Sequence, residues 1–332
     1  MKKSFSAVVY ERHGNPAEVL RVEERPWPQA GAEEAVVQMR AAPINPADIN
    51  MIEGKYPVRL PLPATPGMEG AGTVMEIGAS VQNVRAGDLV ILPHNLGTWR
   101  GALAIPAAAL IVVPTEIDPI QAAMLKINPL TAWRLLHGFV TLQAGDWVIQ
   151  NAANSAAGRA VIQIAHELGY RTVNVVRRAD LIAELKAEGG DVVLLDDETL
   201  RDAVKAATSE APIHLGLNAV GGESALRLAN TLAPDATMVT YGAMSLQPLR
   251  IPNGLLIFKN LSFRGLWINK WYDAASPAER MGAFTPLFDM AQRGLLATKV
   301  EKTYDIGDAK AAVAHAARGK RGGKIVFHFD RH

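Results

Sequence analysis

The sequence of 332 residues contains no cysteine. Disulfide bonds, thiolate nucleophiles and cysteine-ligated metal sites are therefore excluded. Positive and negative charges nearly balance: the chain has 34 lysines and arginines and 33 aspartates and glutamates, which give a formal net charge of +1. A chain with no basic surplus gives no reason to expect nucleic acid as its main partner.

Long hydrophobic runs are missing as well. No stretch of about 18 or more apolar residues could span a membrane. The N-terminal residues 1–14, MKKSFSAVVYERHG, lack the apolar core and the cleavage site of a secretory signal peptide. We therefore expect no membrane association and take the cytoplasm as the default location. Hydrophobic residues make up 49% of the chain and charged residues 20%, the balance of a globular protein.

The segment QNAANSAAG, residues 150–158, lies between an apolar run typical of a buried strand and the pattern of an amphipathic helix. Such a strand-turn-helix unit points backbone N–H groups at a phosphate, and the helix dipole adds to the attraction. Against the G-x-G-x-x-G fingerprint, however, Ala153 and Ser155 replace the first two glycines, and only Gly158 remains. The segment indicates either a dinucleotide site or an ordinary strand-to-helix loop.

A second strand is predicted at residues 171–176, RTVNVV, and Arg177 and Arg178 follow it about twenty residues after the turn. An acid at this place binds the ribose hydroxyls of NAD, whereas arginine suits the 2′-phosphate of NADP. The pair therefore favours NADPH, the alternative being a solvated basic pair. Further strands are predicted at residues 191–195, 214–219, 237–241 and 261–264, with helical patterns between them, as a doubly wound parallel sheet requires.

The first 120 residues or so are different in character. They are rich in proline and glycine and contain short β-like runs at residues 35–41, 72–77 and 88–92, which predict a small, mostly β domain. The segment GGKIVFHF, residues 322–329, predicts a strand that returns to this domain. The predicted domains are residues 1–123 with 297–332, and an inserted nucleotide-binding domain of residues 124–296. A ligand is expected in the cleft between them.

The order of NPADINMIEGKYP (45–57), PGMEGAGTV (66–74) and the turn at 150–158 resembles the medium-chain dehydrogenase/reductase superfamily over essentially the full length. Within it, the chain is similar to the mitochondrial-type trans-2-enoyl-thioester reductases. The segments that carry this similarity include GTWR (97–100), INPLTAWRLL (127–136), NVVRR (174–178), TYGAM (240–244) and LIFKNLSFRGLWINKW (256–271). The resemblance implies an α/β protein with a GroES-like β-rich catalytic domain and a Rossmann domain with a doubly wound parallel sheet. It also implies a homodimer joined through the last Rossmann strand.

The zinc alcohol dehydrogenases of the same superfamily hold their metal with an early cysteine and with the histidine of a G-H-E motif. Here Asn45 stands near the cysteine position, and Met68 replaces the histidine, with Glu69 following it. A neutral amide and a thioether are poor zinc ligands, so no metal site is expected. Glu69 is expected to be structural rather than catalytic.

The resemblance implies NADPH-dependent reduction of a trans-2-enoyl thioester, carried by coenzyme A or by acyl carrier protein. This reaction needs a hydride at the β-carbon, stabilisation of the thioester oxygen and a proton at the α-carbon. The implied catalytic residues are Tyr56, as the acid, and Trp267, as a wall of the pocket. The alternative for Tyr56 is packing at the rim of the domain, and for Trp267 a place in the core. Asn45 and Asp48 are expected to brace the loop.

The resemblance also implies which residues hold NADPH. They are Asn128, Asn154, Ser155, Ala156, Ala157, Arg177, Arg178, Tyr241, Gly242, Ala243, Met244, Leu266, Trp267, Ile268 and Lys324. Four basic residues are further expected to form a mouth for the phosphates of coenzyme A or for the acidic carrier protein: Lys55, Arg100, Lys126 and Lys270.

Two other functions remain open from the residues. A reductase of quinones or free enones would keep the nucleotide-binding half and Tyr56 but would need no channel for a pantetheine arm. A catalytically idle NADPH-binding protein that acts through partner or RNA contacts is also compatible with the resemblance, because a fold does not guarantee turnover.

Overall fold

The computed structural model describes residues 3–319 and 321–329. The chain forms two compact units, one running to Ile127 and resuming at Ala297, and the other comprising Asn128–Leu296. Within the described residues, no helix combines the length and the hydrophobicity that crossing a membrane requires.

The strands, in chain order, are β1 (Ser4–Val9), β2 (Arg21–Pro26), β3 (Glu34–Pro43), β4 (Ala71–Ile77), β5 (Leu89–Ile91), β6 (Ala102–Pro106), β7 (Ile111–Val112), β8 (Trp147–Gln150), β9 (Arg171–Val176), β10 (Val192–Leu195), β11 (Ile213–Asn218), β12 (Thr237–Thr240), β13 (Ser262–Gly265), β14 (Val300–Tyr304) and β15 (Lys324–His328).

The α-helices are α1 (Pro16–Val19), α2 (Pro46–Ile52), α3 (Pro119–Ala122), α4 (Asn128–His137), α5 (Ala156–Glu167), α6 (Ile182–Ala187), α7 (Leu200–Thr208), α8 (Gly222–Thr231), α9 (Asn253–Ile257), α10 (Ile268–Ala274), α11 (Pro277–Gln292) and α12 (Ala309–Ala317). Short 3-10 turns lie at Ala107–Ala109, Ala179–Leu181 and Ile306–Asp308.

The first unit is built on a mostly antiparallel sheet. Its strands run in the order β14-β15-β3-β4-β5-β7, with β6 on β3, and β1 and β2 form a separate antiparallel pair. The predicted C-terminal strand is present as β15 and pairs with β3, so that Val326 lies opposite Pro43. Phe327 then packs edge-on against Trp99 at a centroid separation of 5.1 Å. Strand β15 therefore adds its side chains to the core that the strands of the first third of the chain form.

The second unit contains a parallel sheet. Its strand order among the described residues is β10-β9-β8-β11-β12-β13, and every neighbouring pair is parallel. Strand β9 is buried after its first residue, which agrees with its nearly continuous apolar sequence and with the burial of parallel sheets on both faces. The predicted α/β class with a doubly wound sheet is confirmed. From β8 the chain continues to β9 and β10 on one side of the sheet, and β11, β12 and β13 then follow on the other side. The order of strands therefore reverses between the adjacent strands β8 and β11, and sheets of this kind bind ligands at such a point.

Candidate active site

The residues predicted to hold the cofactor in the second unit mostly follow the carboxyl ends of its strands. Asn154 and Ser155 follow β8, Arg177 follows β9, Tyr241 follows β12 and Leu266 follows β13. Because all these strands are parallel, their carboxyl ends lie at one edge of the sheet. Asn128 is the exception, since it begins α4.

The turn after β8 leads into α5 and retains only one of the usual fingerprint glycines. Ala152 has a φ of 48°, in the left-handed region that disfavours a residue with a side chain. Such a conformation costs on the order of 1–3 kcal/mol and is found mainly at functional sites. Helix α5 then begins at Ala156 with Ser155 as its N-cap, whose hydroxyl accepts from the N–H of Gly158 at 3.1 Å. The N–H groups of Ala156 and Ala157 are left at the helix terminus, where an anion is favoured.

Gly158 is the one fingerprint glycine that the sequence retains, and its role is close packing. A Cβ atom at this position would lie 2.6 Å from the carbonyl oxygen of Ala153 and 2.7 Å from its Cα. Both are backbone atoms, so no side chain could move aside. On the other side, Gln150 donates from Nε2 to the Gly158 carbonyl at 2.9 Å and to Asn174 Oδ1 at 2.8 Å. The turn is therefore held tightly between β8 and α5.

An asparagine network, which the sequence reasoning missed, joins the ends of β8 and β11. Asn151 donates from Nδ2 to Asn218 Oδ1 at 2.9 Å and to Ser224 Oγ at 3.0 Å, and its Oδ1 accepts from the N–H of Ala219 at 2.7 Å. Asn218 in turn donates to Thr240 Oγ1 at 3.0 Å. The signal in the sequence was a polar residue at the end of each buried strand. The network fixes the ends of β8 and β11, the two adjacent strands between which the strand order reverses.

The two arginines after β9 differ in their surroundings. Arg178 forms an ion pair with Asp180, two residues further on. Arg177 is exposed and stands directly after the last strand residue, Val176. A phosphate would have to compete with Asp180 for Arg178 but not for Arg177. The geometry therefore favours Arg177 as the main ligand of a 2′-phosphate.

The segment after β12 is tied back to β11. The N–H of Tyr241 donates to Asn218 O at 3.0 Å, and the N–H of Met244 donates to Ala219 O at 3.0 Å. The hydroxyl of Tyr241 is buried beside Ser155, and burial raises the pKa of this tyrosine. Tyr241 therefore remains a neutral phenol next to the helix cap, while Ala243 and Met244 are exposed to solvent.

Trp267 is the N-cap residue of α10 and follows β13. Its side chain is 43% exposed, so the alternative that it belongs to the core is wrong. The preceding Leu266 is anchored by its N–H to Thr240 O at 3.0 Å, and both Leu266 and Ile268 are half-buried. An exposed indole on an anchored segment suits a ligand-contacting residue.

Tyr56 lies in the first unit, in the turn that follows α2. Gly54, with a φ of 75°, turns the chain, and the N–H groups of Lys55 and Tyr56 both donate to Asn50 O, at 2.8 and 3.1 Å. The side chain of Tyr56 is half-buried. Its backbone is thus fixed to the end of α2 rather than left in a free loop.

The residues at the positions of the zinc ligands take part in a hydrogen-bond network. Asn45 donates from Nδ2 to Glu69 Oε1 at 2.9 Å, and the other Glu69 oxygen accepts from the N–H of Ile127 at 2.9 Å. Met68 is buried. Among residues 3–319 and 321–329, no cluster of three or more His, Cys, Asp or Glu side chains could hold a metal ion.

Lys324, on β15, is buried in the same network. Its ammonium group donates to Asn45 Oδ1 and, at 3.3 Å, to Ile44 O. Burial lowers the pKa of Lys324 and raises the pKa of Glu69, while the opposite charges of the two groups act against both shifts. Burial also raises the pKa of Asp48 to about 7. The role of Lys324 in cofactor binding stays a prediction.

The expected basic mouth is wrong for two of its four members. Lys126 is buried, and the guanidinium of Arg100 donates to the carbonyls of Gly97 and Leu96 at 2.6 and 2.9 Å. Lys55 is exposed but forms an ion pair with Glu53 at 2.8 Å. Lys270 is exposed. The charges of Arg100 and Lys55 are engaged within the protein, which sequence position alone does not reveal.

Known protein families match segments of both units. The alcohol dehydrogenase GroES-like domain family matches residues 31–110, and the zinc-binding dehydrogenase family matches residues 156–282. The mitochondrial enoyl-[acyl-carrier-protein] reductase of Rattus norvegicus is 44% identical over 297 residues, which cover 87% of this chain and 79% of that protein. The chain belongs to the enoyl-thioester reductases of the medium-chain dehydrogenase/reductase superfamily. The predicted GroES-like and Rossmann domain types are thereby confirmed.

Solved structures with the same fold include proteins described with two different activities. A complex of Etr1p with NADP and crotonyl-CoA is 28% identical, with a TM-score of 0.88, covering 98% of this chain and 100% of that one. A putative NADPH:quinone reductase from Bacillus thuringiensis is 29% identical, with a TM-score of 0.90, covering 99% of this chain and 100% of that one. The fold is therefore common to the two enzyme classes that the sequence left open.

The predicted cytoplasmic location is contradicted by the relatives. The enoyl-[acyl-carrier-protein] reductases of Rattus norvegicus, Dictyostelium discoideum and Homo sapiens that match this chain are mitochondrial. The prediction was wrong because it treated the lack of a secretory signal and of a membrane span as evidence for one compartment. Neither feature distinguishes the cytoplasm from other compartments.

Proposed function

We propose that this protein reduces trans-2-enoyl thioesters of coenzyme A or acyl carrier protein to saturated acyl thioesters, with NADPH as the reductant. The observation that carries the proposal is the 44% identity with an enoyl-[acyl-carrier-protein] reductase over 87% of the chain. Further support comes from Tyr56 and the strand-end residues of the second unit, which the resemblance to these reductases assigns to the reaction. The alternative is reduction of quinones or free enones with the same cofactor.

The second unit fits NADPH. Helix α5 offers its N-terminal amides to a pyrophosphate, and Gly158 leaves no room for a Cβ atom beneath the turn. Arg177 supplies a positive charge where an acid would select NAD. The remaining residues proposed to line the cofactor are those after β8, β9, β12 and β13, with Asn128 and Lys324. When bound, NADPH supplies the hydride that the β-carbon of the substrate receives.

Tyr56 is proposed as the acid that protonates the α-carbon. As hydride reaches the β-carbon, the electron pair of the double bond moves toward the thioester carbonyl and leaves the α-carbon ready to accept a proton. A phenol is protonated at neutral pH and can donate its proton to the α-carbon. The phenolate that remains recovers its proton from water. Trp267 is proposed to line the acyl pocket.

The substrate class can be tested by following NADPH oxidation with crotonyl-CoA, a longer enoyl-CoA and a benzoquinone. We expect kcat/KM for at least one enoyl-CoA to exceed that for the quinone, because only the thioester uses a positioned acid. A higher kcat/KM for the quinone would place the alternative first. No turnover with any of the three acceptors, despite measurable NADPH binding, would favour an idle binding protein.

We also propose that the protein is a homodimer joined through β13. This strand lies at the edge of the parallel sheet, and an unpaired edge invites pairing with another chain. Large apolar side chains in the neighbouring stretch of chain are exposed: Leu246 (87%), Ile257 (69%) and Phe258 (84%). Exposed apolar groups of this size mark an interaction surface, and a second copy would present the same edge in a two-fold arrangement.

Light scattering coupled to gel filtration tests this assembly. The wild-type protein is expected at the mass of two chains, and Phe258→Glu is expected to shift it to one chain, because a carboxylate would be buried in the interface. Met75→Glu, at an exposed apolar residue of the first unit, is the matched control and should not change the mass. A wild-type protein that remains at one chain at high concentration would contradict the proposal.

A further inference from the structure

Around the start of α2, the first unit buries four polar or charged side chains. Asn45, Asp48, Glu69 and Lys324 are each less than a tenth exposed. Burying charged groups is costly even when they are paired, and apolar replacements of similar volume are often as stable. A network of this kind therefore calls for a reason other than stability of the fold.

Asn45 is the centre of this network. Its Oδ1 accepts from the ammonium of Lys324, and its Nδ2 donates to Glu69. An ammonium can only donate and a carboxylate can only accept, so the two partners fix the amide in one orientation. The backbone N–H of Asn45 also donates to Asp48 Oδ2, at 2.7 Å. Asn45 is thus held from three directions.

Asn45 is also the N-cap of α2, and the turn that follows α2 carries Tyr56. The helix begins at Pro46 and runs for seven residues, and its Asn50 carbonyl accepts from the N–H of Tyr56. The backbone hydrogen bonds of this two-turn helix connect its N-cap to the turn that carries Tyr56. A displacement of Asn45 would therefore be passed along α2 to the Tyr56 turn.

We propose that Asn45 is a positioning residue, which uses the buried Glu69 and Lys324 side chains to hold α2 and thereby the Tyr56 hydroxyl in place for proton transfer. This inference rests on the proposed role of Tyr56 as the acid. Its physical basis is that proton transfer requires a hydrogen-bonded approach, and that a misplacement of about 1 Å can cost about 100-fold in rate. Asn45 itself supplies no proton.

The test is a double-mutant cycle with Asn45→Ala, Tyr56→Phe and the combined variant. Asn45→Ala is expected to lower kcat for an enoyl-CoA by about 10- to 100-fold while the dissociation constant of NADPH changes less than about twofold. It is also expected to raise the solvent deuterium isotope effect, because proton transfer then limits the rate. In the Tyr56→Phe background the same change should cost almost nothing, since the acid it positions is gone.

Asn50→Ala is the matched control, because Asn50 is exposed on the same helix and contributes its backbone carbonyl rather than its side chain. If Asn45→Ala does not fold, Asn45→Thr serves instead, since threonine remains a good N-cap but its shorter side chain has a single hydroxyl in place of the amide oxygen and nitrogen that contact Lys324 and Glu69. An equal loss in both backgrounds would overturn the inference and leave Asn45 as a stabilising residue only. Full turnover by Tyr56→Phe would overturn both the role of Tyr56 and the inference.

Discussion

Tyr56→Phe is expected to lower kcat for an enoyl-CoA by about 100- to 10,000-fold, the usual contribution of general acid catalysis. Phenylalanine keeps the ring and its packing in the half-buried turn and removes only the hydroxyl. The affinity for NADPH should be nearly unchanged, because the proposed cofactor residues lie mostly in the second unit. The measurement is steady-state turnover with crotonyl-CoA together with NADPH binding by fluorescence.

Quinone reduction by the same variant is the internal control. A quinone can take its proton from solvent after hydride transfer, so its turnover should fall far less than that of the thioester. The two acceptors therefore separate loss of the acid from general damage to the site. If Tyr56→Phe retained wild-type turnover with every enoyl thioester tried, Tyr56 could not be the acid, and the quinone reductase alternative would gain.

Arg177→Ala is expected to raise the dissociation constant of NADPH by about 10- to 150-fold and to leave that of NADH almost unchanged. The lost interaction is a charge-assisted hydrogen bond to the 2′-phosphate, worth about 1.5–3 kcal/mol, and NADH lacks that phosphate. Both dissociation constants can be measured by titration of the reduced cofactors.

Arg178→Ala is the matched control for this prediction. Its guanidinium is engaged with Asp180, so its removal should affect NADPH binding several-fold less than removal of Arg177. An equal effect of the two substitutions would mean that a bound phosphate draws Arg178 away from Asp180. A wild-type enzyme that used NADH as efficiently as NADPH would contradict the proposed role of both arginines.

Much of the second unit could be read from the sequence because its signals are local. Apolar runs of four to six residues predicted β8, β9 and the later strands, and each formed within one or two residues of its predicted place. The turn at 150–158 was recognised from its position between a strand and a helix, even though Ala152 adopts a left-handed conformation without being glycine. Local pattern was sufficient because a strand-turn-helix unit is formed by neighbours in the chain.

The contacts around the two functional turns could not be read in this way. Asn151 meets Asn218 across 67 positions of sequence, and Lys324 meets Asn45 across 279. A polar residue in a strand or at a cap has many possible partners, and only the paired strands select one. The basic mouth failed for the same reason, since whether Arg100 and Lys126 face solvent depends on the fold around them.

By itself the sequence determined the family, the kinds of domain and the absence of cysteine chemistry, and it predicted NADPH from the pair Arg177 and Arg178. These follow from residue identity and from spacings of a few residues. The tertiary structure decided that Lys126 is buried, that Trp267 is exposed, and that Asn45 is held between Glu69 and Lys324. Those facts depend on burial and on contacts between distant segments, which exist only once the sheets have formed.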